Sequence, residues 1–192
     1  MLPILLGYLA GSVPFAYLLA RLKGIDVRIA GSGNVGAANV LRTTGPWRGV
    51  IVMSLDVAKG IGAVAIAHML AGGTALIALT GAAAVVGHVY PVWLRFHGGK
   101  GVAVAAGVFT VLSPGATAMA AGLFLIIAWI TRYVSLASIA ATLALPPAAW
   151  IVGAPLPVIL VAAGTAILIL FRHRTNWSRL RRGTERRMGV RA

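Results

Sequence analysis

The sequence predicts an all-α integral membrane protein with seven transmembrane helices, and three observations predict it. Apolar runs of helix length recur along the chain. Basic residues are confined almost entirely to the segments between those runs. Two polar, glycine-rich stretches, Gly31 to Arg42 and His97 to Gly101, interrupt the pattern where a simple membrane helix has no use for them. Composition agrees: 59% of the 192 residues are hydrophobic, only 10% are charged and the mean hydropathy is +0.93. A soluble domain carries roughly 25% charged residues.

The apolar runs fall near Leu2 to Leu22, Val50 to Leu70, Thr74 to Leu94, Val102 to Leu112, Ala116 to Ile130, Leu136 to Val152 and Leu156 to Phe171. The first lacks the positive flank that precedes the apolar core of a signal peptide, so it is expected to stay as a membrane helix. Six of the runs are long enough to approach a hydrocarbon core of ~30 Å. The fourth is not, because eleven residues at 1.5 Å each span only about 17 Å. Either that helix begins earlier, or the glycine-rich loop before it dips into the membrane. The dip is the preferred expectation, since irregular backbone is tolerated at depth where it lines a site. The whole of 1–192 is then a single seven-helix membrane domain, with 172–192 a basic tail. Small residues in Gly60-Ile-Gly62-Ala63, Gly81 to Ala84 and Ala118 to Gly122 are expected to let helices approach closely.

Charge placement orients the chain. Lys and Arg number 17 against three acids, Asp26, Asp56 and Glu185. All but Lys59 of the 17 lie in the first, third and fifth connections and in the tail, while Ala71 to Gly73, Ser113 to Gly115 and Gly153 to Pro155 have none. By the positive-inside rule the N-terminus faces out and the C-terminus faces the cytoplasm, which requires an odd number of spans. The polar loops then lie on the cytoplasmic side of a cytoplasmic (inner) membrane, and the tail arginines are expected to meet anionic lipid. Nucleic acid is not the expected partner, because its binding domains rarely carry repeated helix-length apolar runs.

The polar loops hold the residues suited to chemistry. In the first, Ser32, Asn34 and Asn39 offer hydroxyl and amide groups, Gly31, Gly33 and Gly36 permit tight or left-handed backbone, and Arg42 follows. In the second, Lys100 stands among Gly98, Gly99 and Gly101, just after His88-Val-Tyr-Pro91. Glycine backbone beside fixed cations suits a phosphate, which needs close N–H donors and a positive field. A surface linker and an interfacial turn with a snorkelling lysine are the plainer alternatives. The second loop is not a Walker motif, whose spacing and following Ser/Thr it lacks. Asp56 and Lys59, three apart on the second run, are expected to pair structurally. With no Cys, thiolate chemistry and disulfides are excluded. Three scattered acids do not suggest a metal centre or a serine triad, and no cofactor is expected.

At these residues the chain resembles the bacterial acyl-phosphate:glycerol-3-phosphate acyltransferases, the PlsY family. The likeness runs through Gly-Ser-Gly-Asn-Val-Gly-Ala-Ala-Asn-Val-Leu-Arg at 31–42, Gly87-His88 to Gly-Gly-Lys-Gly at 98–101, Tyr-Val-Ser-Leu-Ala-Ser at 133–138, and Arg172-His173 with Asn176, Gly183 and Glu185. It implies transfer of a fatty acyl group from acyl phosphate to the 1-hydroxyl of sn-glycerol 3-phosphate, giving lysophosphatidic acid and phosphate. It also implies seven spans with the N-terminus outside, and no obligate protein partner. By the resemblance Ser32 and Arg42 form an essential pair, and the glycines around Lys100 cradle the glycerol phosphate. His173, Asn176 and Ser135 complete the pocket, while Gly31, Gly33, Asn34, Asn39 and His88 bind substrate with Gly98, Gly99 and Gly101. Glu185 is implied to be structural. Ala38 stands where the family pattern has Thr, His97 where Lys is common, and Trp177 where a smaller aliphatic is usual. The proton of the attacking hydroxyl has two candidate acceptors, the substrate's own phosphate and His173. A phosphorylated-metabolite transporter and a non-catalytic lipid-binding protein are the rival readings, against which stand cation-free outer connections and the paired Ser32 and Arg42.

Overall fold

The computed structural model describes residues 1–70 and 73–189, and every regular element among them is helical. Arg191 of the tail, with Ala71 and Gly72 of the first outward connection, lies outside the described residues. The chain forms two compact units, residues 1–112 and 113–192.

The first unit holds α1 (Leu2–Ser12), α2 (Phe15–Arg21), α3 (Ala37–Thr44), α4 (Pro46–Leu70), α5 (Thr74–Val89), a short 3-10 turn at Val92–Leu94, and α6 (Val102–Leu112). The first apolar run, expected as one continuous helix, is broken at Val13-Pro14. Proline cannot donate an N–H and pushes the residue before it into extended backbone; Val13 has φ −59° and ψ 118°. α1 packs on α5, and α4 on α6. Both contacts depend on the absence of a side chain, since a Cβ added at Gly11 would run into the Ala84 backbone and one at Gly60 into the Val104 backbone. Without a hydrophobic drive between helices in lipid, such close backbone approach is what gives them dispersion contact.

The second unit holds α7 (Pro114–Thr131), α8 (Val134–Ile151), α9 (Leu156–Arg172) and α10 (Arg174–Arg181). α8 packs against α7 and α9, and α10 touches α8 and α9. α9 and α10 meet at His173 with a bend of 56°.

Among the described residues, five stretches are long and apolar enough to cross a membrane: Leu2–Arg21, Pro46–Leu70, Thr74–Leu94, Pro114–Thr131 and Val134–Ile151. The bent pair Leu156–Arg172 and Arg174–Arg181 makes a sixth if taken as one span. Val102–Leu112, the fourth apolar run, is a helix of eleven residues. Large apolar side chains line the outside: Trp129 is 83% exposed and Ile167 70%, while the interior is rich in Ala and Val. A water-soluble protein inverts that order, and a bilayer explains it.

Candidate functional site

In the first unit the polar loop between α2 and α3 is pinned at both ends. Val27, Val35 and Val40 are buried with Ala16, Ala20, Val52 and Leu94. Between those anchors the chain rises to an exposed tip at Gly31-Ser32-Gly33. Gly31 (φ +63°) and Gly33 (φ +71°) occupy the left-handed region, which is costly for any residue with a Cβ. That explains why Ser32 stands between two glycines. At the loop's start Asp26 accepts from the Arg28 guanidinium at 2.7 and 2.9 Å and from its backbone N–H at 3.0 Å. These bonds hold the Asp26 carboxyl down at about 2.

Asn39, on α3, locks the tip. Its Oδ1 accepts the Ser32 N–H at 2.8 Å, and its Nδ2 donates to the Val27 and Ala30 carbonyls at 2.9 and 3.0 Å. Expected among the substrate-binding residues, Asn39 turns inward and is buried. Arg42 lies three residues further along the same helix, one turn from the residue that holds Ser32. Arg42 itself is exposed.

The second glycine loop folds back on α5. After the 3-10 turn, Arg95 and Phe96 take left-handed backbone and reverse the chain. The Gly98 N–H then donates to the Val89 carbonyl and the Gly99 N–H to the His88 carbonyl, both at 3.1 Å. These carbonyls belong to the last turn of α5 and have no partner within the helix. Sequence reasoning expected both glycines to offer N–H groups to substrate. The structure uses them to cap α5 and buries Gly98 and Gly99 in protein. Lys100 follows, and Gly101 (φ +91°) turns the chain into α6, whose first-turn N–H groups have no helical acceptor.

His88 was also expected to bind substrate. It is buried, with Nδ1 at 3.0 Å from Lys59 Nζ and 3.5 Å from Asp56 Oδ1. The expected Asp56–Lys59 pair is present at 2.9 Å. Its third member, His88, lies 29 residues away in sequence, and no local pattern announced it.

In the second unit Ser135 lies in the first turn of α8, and Asn176 lies on α10. Asn176 Nδ2 donates to Glu185 Oε1 at 2.7 Å, and Arg179 Nε donates to Glu185 Oε2 at 2.6 Å. Burial opposes ionisation of Glu185, but Arg179, Asn176 and the Ser135 hydroxyl outweigh it and lower the carboxyl from its ordinary 4.5. The tail is tied down again where the Met188 N–H donates to the Arg132 carbonyl at 2.8 Å and Arg187 Nε donates to the Tyr133 hydroxyl at 3.0 Å. His173 is buried at the α9–α10 bend, with Nδ1 at 2.8 Å from the Ile169 carbonyl. A carbonyl only accepts, so Nδ1 carries a proton, and Nε2 is the basic nitrogen of the neutral ring.

No cluster of three or more metal-ligating side chains occurs among the described residues. Arg179, Arg187 and the joining of His88 to the Asp56–Lys59 pair were not foreseen. Arginine is too abundant in this tail for one residue to stand out.

Comparison with known proteins sets these residues in context. A family model described as glycerol-3-phosphate acyltransferase matches residues 1–183. Curated proteins of that name are similar over nearly all of the chain. That of Rubrobacter xylanophilus is 43% identical over 192 residues, 100% of this chain and 96% of the relative. That of Desulforudis audaxviator is 46% identical over the same coverage, and that of Geotalea daltonii 47% identical over 93% of this chain and 92% of its own. Two crystal structures of PlsY (YgiH), an integral membrane glycerol 3-phosphate acyltransferase, are alike in fold. The glycerol 3-phosphate form has a TM-score of 0.94 at 43% identity, covering 98% of this chain and 94% of the other. The lysophosphatidic acid form has a TM-score of 0.91 at 42% identity, with the same coverage.

Proposed function

The chain belongs to the glycerol-3-phosphate acyltransferase family, and on that premise we propose that it moves a fatty acyl group from acyl phosphate to the 1-hydroxyl of sn-glycerol 3-phosphate. The products are lysophosphatidic acid and inorganic phosphate, in the first acylation of phospholipid synthesis. The carrying observation is Ser32, presented between two left-handed glycines and locked by the residue one helical turn before Arg42. Such a hydroxyl is pre-organised.

Acyl phosphate is a mixed anhydride with a good leaving group, so positioning and charge stabilisation are the main requirements. The substrate hydroxyl oxygen attacks the acyl carbon, the bond from that carbon to the phosphate oxygen breaks, and phosphate departs. Arg42 and Lys100 offset phosphate charge, helped by the first-turn N–H groups of α6. Ser32 orients the phosphate. Asn176 does so as well, with one of its two N–H donors given to Glu185 and its amide thereby fixed in direction. Gly31, Gly33, Asn34 and Gly101 shape the loops that meet substrate, with Ser135 beside the Glu185 carboxylate. The hydroxyl proton passes to the substrate's phosphate, with His173 as the rival base. The placement of basic residues supports an active side facing the cytoplasm, in a bacterial inner membrane crossed seven times.

The test uses purified protein in lipid, palmitoyl phosphate and labelled glycerol 3-phosphate, with phosphate and lysophosphatidic acid both followed. Equal formation of both, abolished in Arg42→Ala, is the expected result. His173→Gln with near-normal turnover and an unchanged pH profile assigns the proton to the substrate phosphate. A folded preparation that forms no product but carries glycerol 3-phosphate across vesicles would make this a transporter.

A further inference from the structure

Three titratable side chains meet inside residues 1–112, and the reaction as proposed needs none of them as an acid, base or phosphate ligand. Lys59 Nζ lies 2.9 Å from Asp56 Oδ1, 2.9 Å from the Val13 carbonyl and 3.0 Å from His88 Nδ1. All three side chains are buried. Taking charges out of water costs several kcal/mol per ion, to the order of magnitude, and an apolar contact of similar volume often joins helices as well or better. The arrangement has directional consequences that apolar packing lacks.

An ammonium has three N–H donors and no acceptor, and three acceptors surround Lys59 within 3.0 Å. One is the carbonyl that the helix break at Pro14 leaves without its usual partner. Another is His88 Nδ1. An ammonium only donates, so in this contact His88 Nδ1 accepts. The ring's own proton is then on Nε2. That edge faces Gly99: a Cβ added there would collide with His88 Nε2 and come within 2.7 Å of the Val35 carbonyl. Gly99 therefore fits between the His88 ring and the first glycine loop. The ring's orientation decides where the second loop rests against the first.

We infer that Asp56, Lys59 and His88 are positioning residues, which hold the His88 ring in one orientation and so fix the Gly98–Gly101 loop against Val35 and set the geometry of the glycerol-phosphate cradle. The cavity beside them, lined also by Val13, Pro91 and Gly98, measures about 10 Å³, room for roughly one water. The inference rests on the reading of this loop as the cradle.

The experiment compares two double variants with the unaltered protein in lipid. Asp56→Asn with Lys59→Met removes both charges and the donors, while Asp56→Asn with Lys59→Gln removes the charges and keeps donors. Neither leaves a lone buried charge, the change that most endangers folding. KM and kcat are measured for both substrates, and hydrogen exchange is followed at residues 97–101. The expected result for the Met variant is a KM for glycerol 3-phosphate raised about tenfold and faster exchange of the loop, with the KM for palmitoyl phosphate unchanged. The Gln variant is expected to recover at least half of the loss in both readouts. A folded Met variant with unaltered loop exchange overturns the inference, as does an equal loss in both variants. Absence of acyl transfer by the unaltered folded protein would overturn the enzyme reading instead, and exchange would still decide whether the three residues position the loop.

Discussion

Asn39 shows how much one side chain can decide. A single amide closes three hydrogen bonds, to Ser32, Val27 and Ala30, across up to 12 positions of a loop that has no regular structure. Ser32 therefore keeps its place through Asn39, and the glycines beside it permit that place without holding it. Asn39→Ala leaves the Ser32 N–H and the Val27 carbonyl without these partners at a largely buried point, while the Ala30 carbonyl keeps the Gly33 N–H. At ~1 kcal/mol or more for each, the loss is about 2–3 kcal/mol after partial relaxation. Thermal unfolding in detergent should show a lower midpoint, and turnover should fall further than the folded fraction does, because the Ser32 tip loses its anchor. A motif shows that an amide belongs at position 39, but only the folded loop shows that it faces inward.

At the scale of elements, the short α10 and the tail after it depend on Glu185. The carboxylate joins Asn176 and Arg179 on one helix to the chain after Gly183. Its pKa is lowered in the folded protein, so between the folded and unfolded values the unfolded tail binds more protons, and stability there rises with pH. The contribution is full above the ordinary value of 4.5 and is lost as pH falls through the lower folded value. Protease nicking of residues 182–188 should thus be constant from neutrality to about pH 5 and increase in stronger acid. In Glu185→Gln the nicking should already be fast at neutrality and nearly independent of acid. The helices themselves were legible as apolar runs. Their interruptions were less so: the first run splits at Pro14 and the last bends at His173, and only the Pro14 break has a local cause that could have been read in advance.

For the whole molecule, the open quantity is the number and direction of crossings. Among the described residues five helical stretches have the length and apolarity to span, a bent sixth can be added, and Val102–Leu112 is short. The arginine distribution supports seven crossings with the N-terminus outside. The chain contains no Cys, so single cysteines report without interference. Cysteines at Gly73, Gly115 and Gly153, all exposed, should react with an impermeant maleimide from outside intact cells. Those at Arg48, His97, Arg132 and Thr184 should react only after permeabilisation. Outside labelling at Thr184 together with Gly153 would mean that the last helix does not cross, and the odd count would fail.

The amino-acid sequence alone determined the class of the protein, the helical runs, the two glycine loops and the motif that carries the family likeness. Those features are local or compositional: helix length against bilayer thickness, charge against apolar cost, glycine where backbone must turn. It left undecided which of the motif residues face outward and which hold the others. Asn39, Gly98 and Gly99 look alike as polar or flexible loop members, yet the structure turns their donors inward onto main-chain carbonyls. Likewise, Asp56 and Lys59 announce a pair by their spacing, while His88 joins them from another helix. Only tertiary packing brings them together, because a buried hydrogen bond is set by distance in space, which sequence separation does not record.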